Sequence, residues 1–373
     1  MKKQILFLTM LTVALIFSSL KNSVAQNTEE EYITLPSGVT SIFCPVANTL
    51  QCADATDGLS PIPGVSYEYE ISVPTGSTVH WVVMDETAVM TAPGTLNSNI
   101  DLGTGAGDYL LVTDAVYNNA TNTSSTISLT WKSFDGNTNS VLLVAYVRDA
   151  ATNWCTDNIE VYRIIPQYTF TLDLAGILDT GAEGDSECVG NIQSASYDAT
   201  NRELTVLYGE NYLFFAVNAA NWQTSWMPEL NAITDFDPNS VITSVDWAYP
   251  DEATSATGTW HPATDEVEAA HYGATNGFVG QTGECIIVRV LVTHGSTTEN
   301  IGDETITLSV NGEMLNPQTG VYDGVYLDLD EGAAPGDPCV DDYTDTVTYT
   351  ITPRPTITAT DPTPFEDKIP TGN

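Results

Sequence analysis

Residues 67–73 read Tyr-Glu-Tyr-Glu-Ile-Ser-Val, and residues 78–84 read Thr-Val-His-Trp-Val-Val-Met. In both stretches apolar and polar side chains alternate, as they do where successive side chains of a strand point to opposite faces of a sheet. Similar short runs recur along the chain between Gly, Pro, Asn and Asp, whereas long helical periodicity is hard to find. The sequence therefore predicts an all-β protein made of tandem β-sandwich domains.

Three further strands are expected in the first half, at 126–131, 141–148 and 158–165. Trp81 lies inside the second quoted stretch, and Trp131 ends the strand at 126–131. Each tryptophan stands where an inward aromatic ring packs between two sheets. We therefore expect both rings in the core of the first domain.

The alternating pattern begins again at Phe170, just after Pro166, which indicates a domain boundary near residue 165. We expect a first domain over 26–165 and a second β-rich domain over 166–352. Strands of the second domain are predicted at 204–208, 212–218, 285–293, 305–310, 321–329 and 346–351. Asn311-Gly312 predicts a tight turn. Residues 221–283 are expected to be irregular, with short strands or a folded excursion.

The tail, residues 353–373, contains five prolines and few apolar side chains. This composition is typical of an extended linker rather than of packed structure. Residues 356–359 (Thr-Ile-Thr-Ala) form a short alternating piece, and a neighbouring subunit could take up such a piece as an added strand. The linker is the favoured interpretation.

The first 25 residues have the order of a secretory signal peptide. Lys2 and Lys3 precede an apolar run over 5–17, and Ser23-Val24-Ala25 resembles a cleavage site. The apolar run is shorter than the roughly 20 residues that a membrane-spanning helix needs. We expect export by the Sec route, no direct membrane insertion, and a location at the cell surface, outside the cell or in the periplasm.

The chain has 49 acidic and 10 basic residues, for a formal net charge of −39. A field of this sign repels nucleic-acid phosphates and anionic lipids, so we expect no nucleic-acid partner. Divalent cations and basic proteins are the ligands that such a charge favours. The simpler interpretation is that the acidic residues keep an exported protein soluble.

Six cysteines in an exported chain permit up to three disulfides. Fifteen pairings are conceivable, and a bridge from Cys52 to Cys155, which would tie the start of the first domain to its end, is the first hypothesis. The remaining candidates are Cys44, Cys188, Cys285 and Cys339. No Cys-x-x-Cys occurs, so a redox dithiol is not expected.

Two acidic clusters are candidate calcium sites. Asp235, Asp237 and Asp246 follow the alternating-oxygen layout of a calcium loop, although Ser240 stands where such a loop needs glycine. The second cluster contains Asp328, Asp330, Asp337, Asp341 and Asp342 around Cys339. Bound calcium would relieve the repulsion between these carboxylates, and a solvated turn would avoid it. An ordinary acidic loop is the alternative in both places.

The sequence contains no Gly-x-Ser-x-Gly elbow, no His-Glu-x-x-His and no Walker-type loop, and we expect no catalytic activity. Four tryptophans lie in the irregular part of the second half, and aromatic rings beside carboxylates can hold sugars. They are Trp222, Trp226, Trp247 and Trp260. Core packing is the simpler role for them.

The first half resembles the PKD-like, immunoglobulin-like modules of large surface proteins of Bacteroidota, including gliding-motility adhesins. The resemblance covers mainly residues 52–161. The residues that carry it are Tyr67-Glu-Tyr-Glu-Ile, Val79-His-Trp-Val-Val, Ile127-Ser-Leu-Thr-Trp131 followed by Gly136, and Cys155-Thr-Asp-Asn before Ile159-Glu-Val. It implies an immunoglobulin-like fold and a role in surface display, and it carries over no catalytic residue.

These observations predict an exported structural or adhesive surface protein that acts through protein contacts. Its expected partners are other surface or outer-membrane proteins, or further copies of itself, as in a surface assembly or a gliding or secretion apparatus. The alternative is a carbohydrate-binding module of a secreted polysaccharide-utilisation system, which would use the tryptophans as its platform.

Overall fold

The computed structural model describes residues 33–46, 50, 56–85, 90–92, 95–96, 109–111, 118–119, 124–134, 141–148, 157–235, 240–272, 284–297, 302–330, 339–341 and 343–355. Nearly all regular structure in these residues is β-strand, which confirms the all-β prediction. None of the helices found there has the length and apolar character needed to cross a bilayer. The predicted signal peptide lies outside the described residues.

Strands β1 to β8 form the first half. Their bounds are Ser66–Glu70 (β1), Thr78–Asp85 (β2), Met90–Ala92 (β3), Thr95–Leu96 (β4), Asn118–Asn119 (β5), Thr126–Thr130 (β6), Val141–Arg148 (β7) and Asp157–Ile164 (β8). A sheet of order β5-β2-β7-β8 faces the antiparallel pair β1-β6, and β3 pairs with β4. Trp81 and Trp131 are fully buried between these layers, as the alternating pattern predicts.

The second half contains the remaining strands and two one-turn helices. Their bounds are Thr171–Ile177 (β9), Ser186–Cys188 (β10), Ile192–Asp198 (β11), Glu203–Tyr208 (β12), Glu210–Ala220 (β13), Ser225–Asp235 (β14), Ser240–Ala248 (β15), Pro250–Ala253 (α1), His261–Pro262 (β16), Val267–Glu268 (β17), Ala269–Tyr272 (α2), Glu284–His294 (β18), Ser296–Thr297 (β19), Glu304–Met314 (β20), Leu329–Asp330 (β21), Val340–Asp341 (β22) and Asp345–Thr352 (β23).

Two five-stranded sheets of the second half pack face to face as a sandwich. Their strand orders are β16-β15-β18-β13-β9 and β10-β23-β20-β14-β17. Every second residue of β20 is buried, so one face of that strand lies against the core. The ring centroids of Phe215 on one sheet and Tyr349 on the other are 5.6 Å apart. The alternating sequence pattern thus produces a single apolar core between the sheets.

The outer face of the first of these sheets is also covered, by the N-terminal residues 33–46. Leu35 is fully buried there and packs with Phe214 and Ala216 of β13. The Leu35 N–H donates to the Ala253 carbonyl at 2.9 Å. This packing differs from the predicted first domain over 26–165, because these residues lie on the second half. It also explains why β13 is buried on both faces over most of its length.

A disulfide joins Cys44 of the N-terminal segment to Cys285 of β18, with a Cα–Cα distance of 6.0 Å. Cys339 also takes part in a disulfide. Cys188 has a free, exposed thiol, so it does not form the bridge expected of it. Cys52 and Cys155 lie outside the described residues. The predicted pairing of these two cysteines is wrong, because they are the two candidate partners left for Cys339 once Cys44, Cys285 and Cys188 are accounted for.

Three predictions for the second half are corrected. Asn311-Gly312 lies inside β20, opposite Glu229 and Pro228 of β14, and forms no turn. Residues 321–328 consist of bends, irregular structure and an isolated bridge at Leu327, and only Leu329 belongs to a strand. The segment expected to be irregular contains two long strands, β14 and β15. Their polar residues hid them, because each strand has exposed positions between buried ones.

Candidate functional site

The first predicted calcium loop falls partly on two strands and partly outside the described residues. Asp235 ends β14, Asp246 lies within β15, and Asp237 lies outside the described residues. The Asp246 carboxylate accepts hydrogen bonds from Arg289 Nη2 at 3.1 Å and from Ser244 Oγ at 2.9 Å. This correction follows from the strand, which separates the two aspartates and gives Asp246 a cationic partner.

The second acidic cluster is centred on Asp328, which is fully buried. Its Oδ1 accepts a hydrogen bond from the Leu172 N–H at 2.8 Å, while its Oδ2 is buried without a hydrogen-bond partner. Burial raises the pKa of the Asp328 carboxyl to about 9. The hydrogen bond from Leu172 lowers this pKa, whereas the charges of Asp345, Asp330 and Asp173 contribute to the rise. The carboxylates of Asp345, Asp330 and Asp173 are therefore near enough to Asp328 for their charges to act on it.

A neighbouring carboxyl in this group is perturbed in the same direction. Burial raises the pKa of Asp345 to about 7, and the charges of Asp173 and Asp330 contribute. Asp341 lies on the exposed strand β22, and Asp337 and Asp342 are outside the described residues. Asp173 was missed from the sequence because it comes from β9, about 155 residues before the cluster in the chain.

This carboxylate cluster does not already have the arrangement of a metal centre. In the described part of the chain, no three His, Cys, Asp or Glu side chains are disposed to hold one metal ion. Because burial raises the pKa of Asp328 to about 9, this carboxyl holds a proton near neutral pH, and a bound cation would have to displace that proton. Calcium binding here remains a prediction.

The predicted sugar platform is corrected by burial. Trp222, Trp226 and Trp247 are fully buried in the core and have no ring face open to a ligand. Trp260 is partly buried, and the Arg289 guanidinium lies 4.1 Å from its ring centroid. Core packing, the simpler interpretation of these rings, is therefore confirmed for the first three.

A buried polar network connects the two sheets, and the sequence did not predict it. Ser240 Oγ donates to Glu304 Oε1 at 2.7 Å, and His294 Nδ1 lies 3.0 Å from Ser240 Oγ and 3.2 Å from Glu304 Oε2. His294 Nε2 lies 2.7 Å from Asn211 Oδ1. Since that oxygen also accepts a hydrogen bond from the Gly190 N–H, Nε2 is the donor.

Although Ser, His and Glu are the residue types of hydrolytic triads, this arrangement is not one. In such a triad the serine and the carboxylate contact different ring nitrogens, whereas Ser240 and Glu304 both contact Nδ1 of His294. All three side chains are buried, so no nucleophile faces a substrate. The network serves to fix the packing of β20 against β15 and β18.

A cavity of about 830 Å³ opens beside α1, β17 and α2, and four carboxylates and two histidines contribute to its wall. The His271 ring stacks on Tyr249 at 3.5 Å, and its Nε2 lies 3.0 Å from Asp251 Oδ1. The His261 ring stacks on Trp247 at 4.3 Å. The carboxylates are Glu252, Asp265, Glu266 and Glu268. The cavity suits cationic groups and hydroxyls, and the histidines cover its aromatic faces.

Strand β11 is the most exposed long strand of the described chain. All seven of its residues, Ile192–Asp198, are exposed, so both faces of the strand meet solvent. Its sheet has the order β11-β12-β19, which leaves one edge of β11 without a described neighbour. Ala195 is paired with Val206 on β12, and a bulge lies between Ile192 and Ser194. The arrangement presents backbone donors and acceptors to an incoming strand.

Sequence reasoning missed β11 for a physical reason. Apolar alternation marks strands that bury one face, and a strand exposed on both faces has no such pattern. The usable signal was the adjacent strand β12, which was predicted at 204–208, together with the turn-forming residues Asp198 and Asn201 before it.

The chain was compared with known families and proteins. No family model matches it, and no curated protein matches it. The resemblance of residues 52–161 to surface modules therefore stays a prediction from the sequence.

Proposed function

We propose that the chain is an exported structural or adhesive protein of the cell surface that acts through contacts with other proteins. The Cys44–Cys285 disulfide supports export, since such bonds persist in oxidising compartments. The resemblance to surface modules supports a subunit of a surface assembly, or of a gliding or secretion apparatus.

The observation that carries this proposal is the β11 edge, defined as the side of Ile192–Asp198 that has no strand neighbour among the described residues. An added strand binds such an edge through main-chain hydrogen bonds, and side chains on both faces set the specificity. Ile192 and Tyr197 supply exposed apolar surface on this strand, with 44% and 52% of their surface exposed. A contact protein needs a surface of this kind.

Bead adhesion tests the proposal. Beads coated with residues 26–373 are expected to adhere to intact cells of the source organism. The variant Ser194→Glu/Ser196→Glu places like charges on the edge and is expected to reduce adhesion about tenfold. The matched control, Thr346→Glu/Thr348→Glu, adds the same charge to exposed positions of β23 and should leave adhesion unchanged. Equal loss in both variants, or no adhesion of the wild type, contradicts the proposal.

We also propose that a structural calcium ion binds at the carboxylate cluster, defined as Asp173, Asp328, Asp330 and Asp345. The support is the buried, unpartnered Oδ2 of Asp328, next to carboxylates whose repulsion a divalent cation would relieve. Millimolar calcium is expected to raise Tm more than sodium chloride of equal ionic strength. Asp330→Asn should reduce this increment, while Asp303→Asn, an exposed change, should not. Equal effects of the two salts contradict a calcium site.

The alternative function, carbohydrate binding, is supported at a different place from the one predicted. The acidic cavity has carboxylates that accept hydrogen bonds from sugar hydroxyls and a volume in the range of small-ligand sites. Binding on a glycan array that Glu266→Gln/Glu268→Gln abolishes and Asp303→Asn retains would favour this function. Absence of binding to every glycan would remove it.

A further inference from the structure

We propose that the β11 edge pairs with the β11 edge of a second copy of this chain, antiparallel and across a two-fold axis at Ala195. The inference rests on the proposed function and deepens it, because it names the partner. The strand is fully exposed and has a described strand neighbour, β12, on one side. Two identical edges related by a two-fold axis form a closed, self-complementary contact.

The β11 edge lacks most of the features that protect sheet edges. Proteins block edge pairing with charged side chains, proline, short strands or bulges. Residues 192–197 contain no charged residue and no proline, and the strand is seven residues long. Its bulge lies at one end, between Ile192 and Ser194. The three central positions of a ladder centred on Ala195, Ser194 to Ser196, therefore lie in the regular part of the strand, and the bulge falls at the ends of that ladder.

Two other long strands that end their sheets in the described chain have protected outer edges. Strand β8 ends the first-half sheet and carries Asp157, Glu160 and Arg163 along its length. Strand β9 ends a sheet of the second half, and its outer edge is occupied, since the Leu172 N–H donates to Asp328 and the Phe170 carbonyl accepts from the Leu329 N–H. Of these three strands, β11 is the one whose outer edge has no described neighbour and whose first six residues carry no charge.

The charge of the molecule favours a register that keeps the Asp198 carboxylates of the two copies apart. Two copies, each with a net charge of −39, repel one another, so a shared contact has to keep its carboxylates apart. Pairing centred on Ala195 places the Asp198 of each copy opposite Ile192 of the other, at opposite ends of the ladder. The two carboxylates are then about 20 Å apart, beyond the screening length of about 8 Å at physiological salt.

The side chains in this register fit together. Ser194 of each copy faces Ser196 of the other, and the two Ala195 residues face each other, so small side chains occupy the centre. Each Tyr197 then lies diagonal to the partner's Ala195 and can cover it. A ladder of seven residues buries less area than the roughly 1,200 Å² of a stable interface, so a weak dimer is expected. Dense display on a surface would strengthen it.

Disulfide trapping tests both the partner and the register. Cα atoms of directly opposed antiparallel residues are about 4.5–5.5 Å apart, within the range that a disulfide spans. In a Cys188→Ser background, which removes the exposed free thiol of the described residues, Ala195→Cys is expected to form covalent dimers faster than this background alone under a mild oxidant. Thr348→Cys, an exposed position on β23, is the control, and its cross-linking is expected to be about tenfold slower.

The register makes a second, sharper prediction. Ser194→Cys and Ser196→Cys should each stay monomeric alone, and a mixture of the two should cross-link as a heterodimer. All these positions are exposed, so the substitutions leave the core intact. Sedimentation velocity of the uncrosslinked chain should show dimer at about 500 μM and monomer at about 10 μM, as a weak affinity requires.

The outcomes separate this inference from the proposed function. Cross-linking of Ala195→Cys no faster than that of Thr348→Cys overturns self-pairing. Cross-linking of Ala195→Cys that appears only after removal of residues 356–373 also overturns self-pairing. The tail, and not a second copy, would then occupy the edge. If the beads still adhere to cells that lack this gene, the proposed adhesive function stands, but the partner is another protein. If adhesion to those cells is lost and Ala195→Cys cross-links, self-pairing is supported.

Discussion

Asp328 is the residue whose charge the fold accommodates least well. Burial raises its pKa to about 9, and burial also raises the pKa of Asp345 to about 7. An aspartate in an unfolded chain has a pKa of about 3.9. Because both folded values are higher, the folded protein binds more protons than the unfolded chain. The stabilisation from these two carboxyls is complete below about pH 4 and is lost as the pH rises through about 7 and 9.

Asp328→Asn should therefore flatten the pH dependence of stability. The amide keeps the oxygen that accepts from Leu172 and has no proton to lose. Between about pH 5 and 8, the free energy of unfolding should fall with rising pH more steeply in the wild type than in Asp328→Asn. The difference in slope should be about 1.4 kcal/mol per pH unit. Chemical denaturation at several pH values measures this difference. The exposed control Asp303→Asn should keep the wild-type slope; an unchanged slope in Asp328→Asn would refute the titration.

Gly312 is needed for close packing rather than for a turn. A Cβ at this position would lie 2.9 Å from the Met227 carbonyl oxygen and 2.9 Å from Leu172 Cδ1. The leucine side chain can move, but the backbone carbonyl belongs to the paired strand β14.

Gly312→Ala is expected to lower the free energy of unfolding by about 1–3 kcal/mol, the usual cost of overpacking. Urea denaturation measures the change. Gly320→Ala makes a useful comparison: Gly320 has open space around it but a φ of 68°, so its cost is backbone strain at a turn. A neutral Gly312→Ala would show that the two strands can separate at this point.

At the scale of elements, the N-terminal segment 33–46 depends on one covalent bond and a few contacts. The Cys44–Cys285 bridge closes a sequence separation of 241 residues. Arg289 Nη1 donates to the Ile33 carbonyl at 2.8 Å, and Asn218 Nδ2 donates to the Pro45 carbonyl at 2.6 Å. These contacts cover the apolar outer face of β13.

Cys44→Ser/Cys285→Ser is expected to lower the free energy of unfolding by about 3–5 kcal/mol, since long disulfide loops restrict the unfolded chain most. Hydrogen exchange should show faster exchange in 33–46 and at the outer face of β13. The control Cys188→Ser removes an unbonded thiol and should leave both measurements unchanged. Slow exchange of 33–46 without the bridge would mean that packing alone holds the segment.

The strands divide by how much of their surface they bury. Strands with an apolar run or a clear apolar alternation, such as β2, β7 and β20, were predicted within a few residues. Strand β11 was missed because neither face is buried, and β14 because Pro228, Glu229 and Asn231 interrupt its pattern. Tertiary pairing stabilises strands that local preference does not indicate.

At the scale of the whole molecule, a net charge of −39 opposes compaction. Raising sodium chloride from about 10 to about 300 mM shortens the screening length from about 30 Å to less than 8 Å. The expected result is a rise in Tm of several degrees and stronger self-association. Scanning calorimetry and sedimentation measure the two effects. A neutral solute of equal osmolality is the control, and a Tm independent of salt would show that charge repulsion is not limiting.

The candidate sites show what a one-dimensional pattern can locate. The Asp328 cluster was predicted from its density of carboxylates, but Asp173 joins it only through the packing of β9. The Ser240–His294–Glu304 network joins three separate strands, and no spacing rule connects them. The tryptophans suggested a platform by composition, and their complete burial removed it.

The sequence by itself determined the all-β class, the position of most one-sided strands and the strongly acidic character. It could do so because alternation and charge are properties of neighbouring residues. Only the tertiary structure decided that 33–46 covers the second half, that Cys44 pairs with Cys285, that the tryptophans are core and that β11 has an open edge. Each of these depends on which distant segments meet, and long-range contacts leave no local signal in the chain.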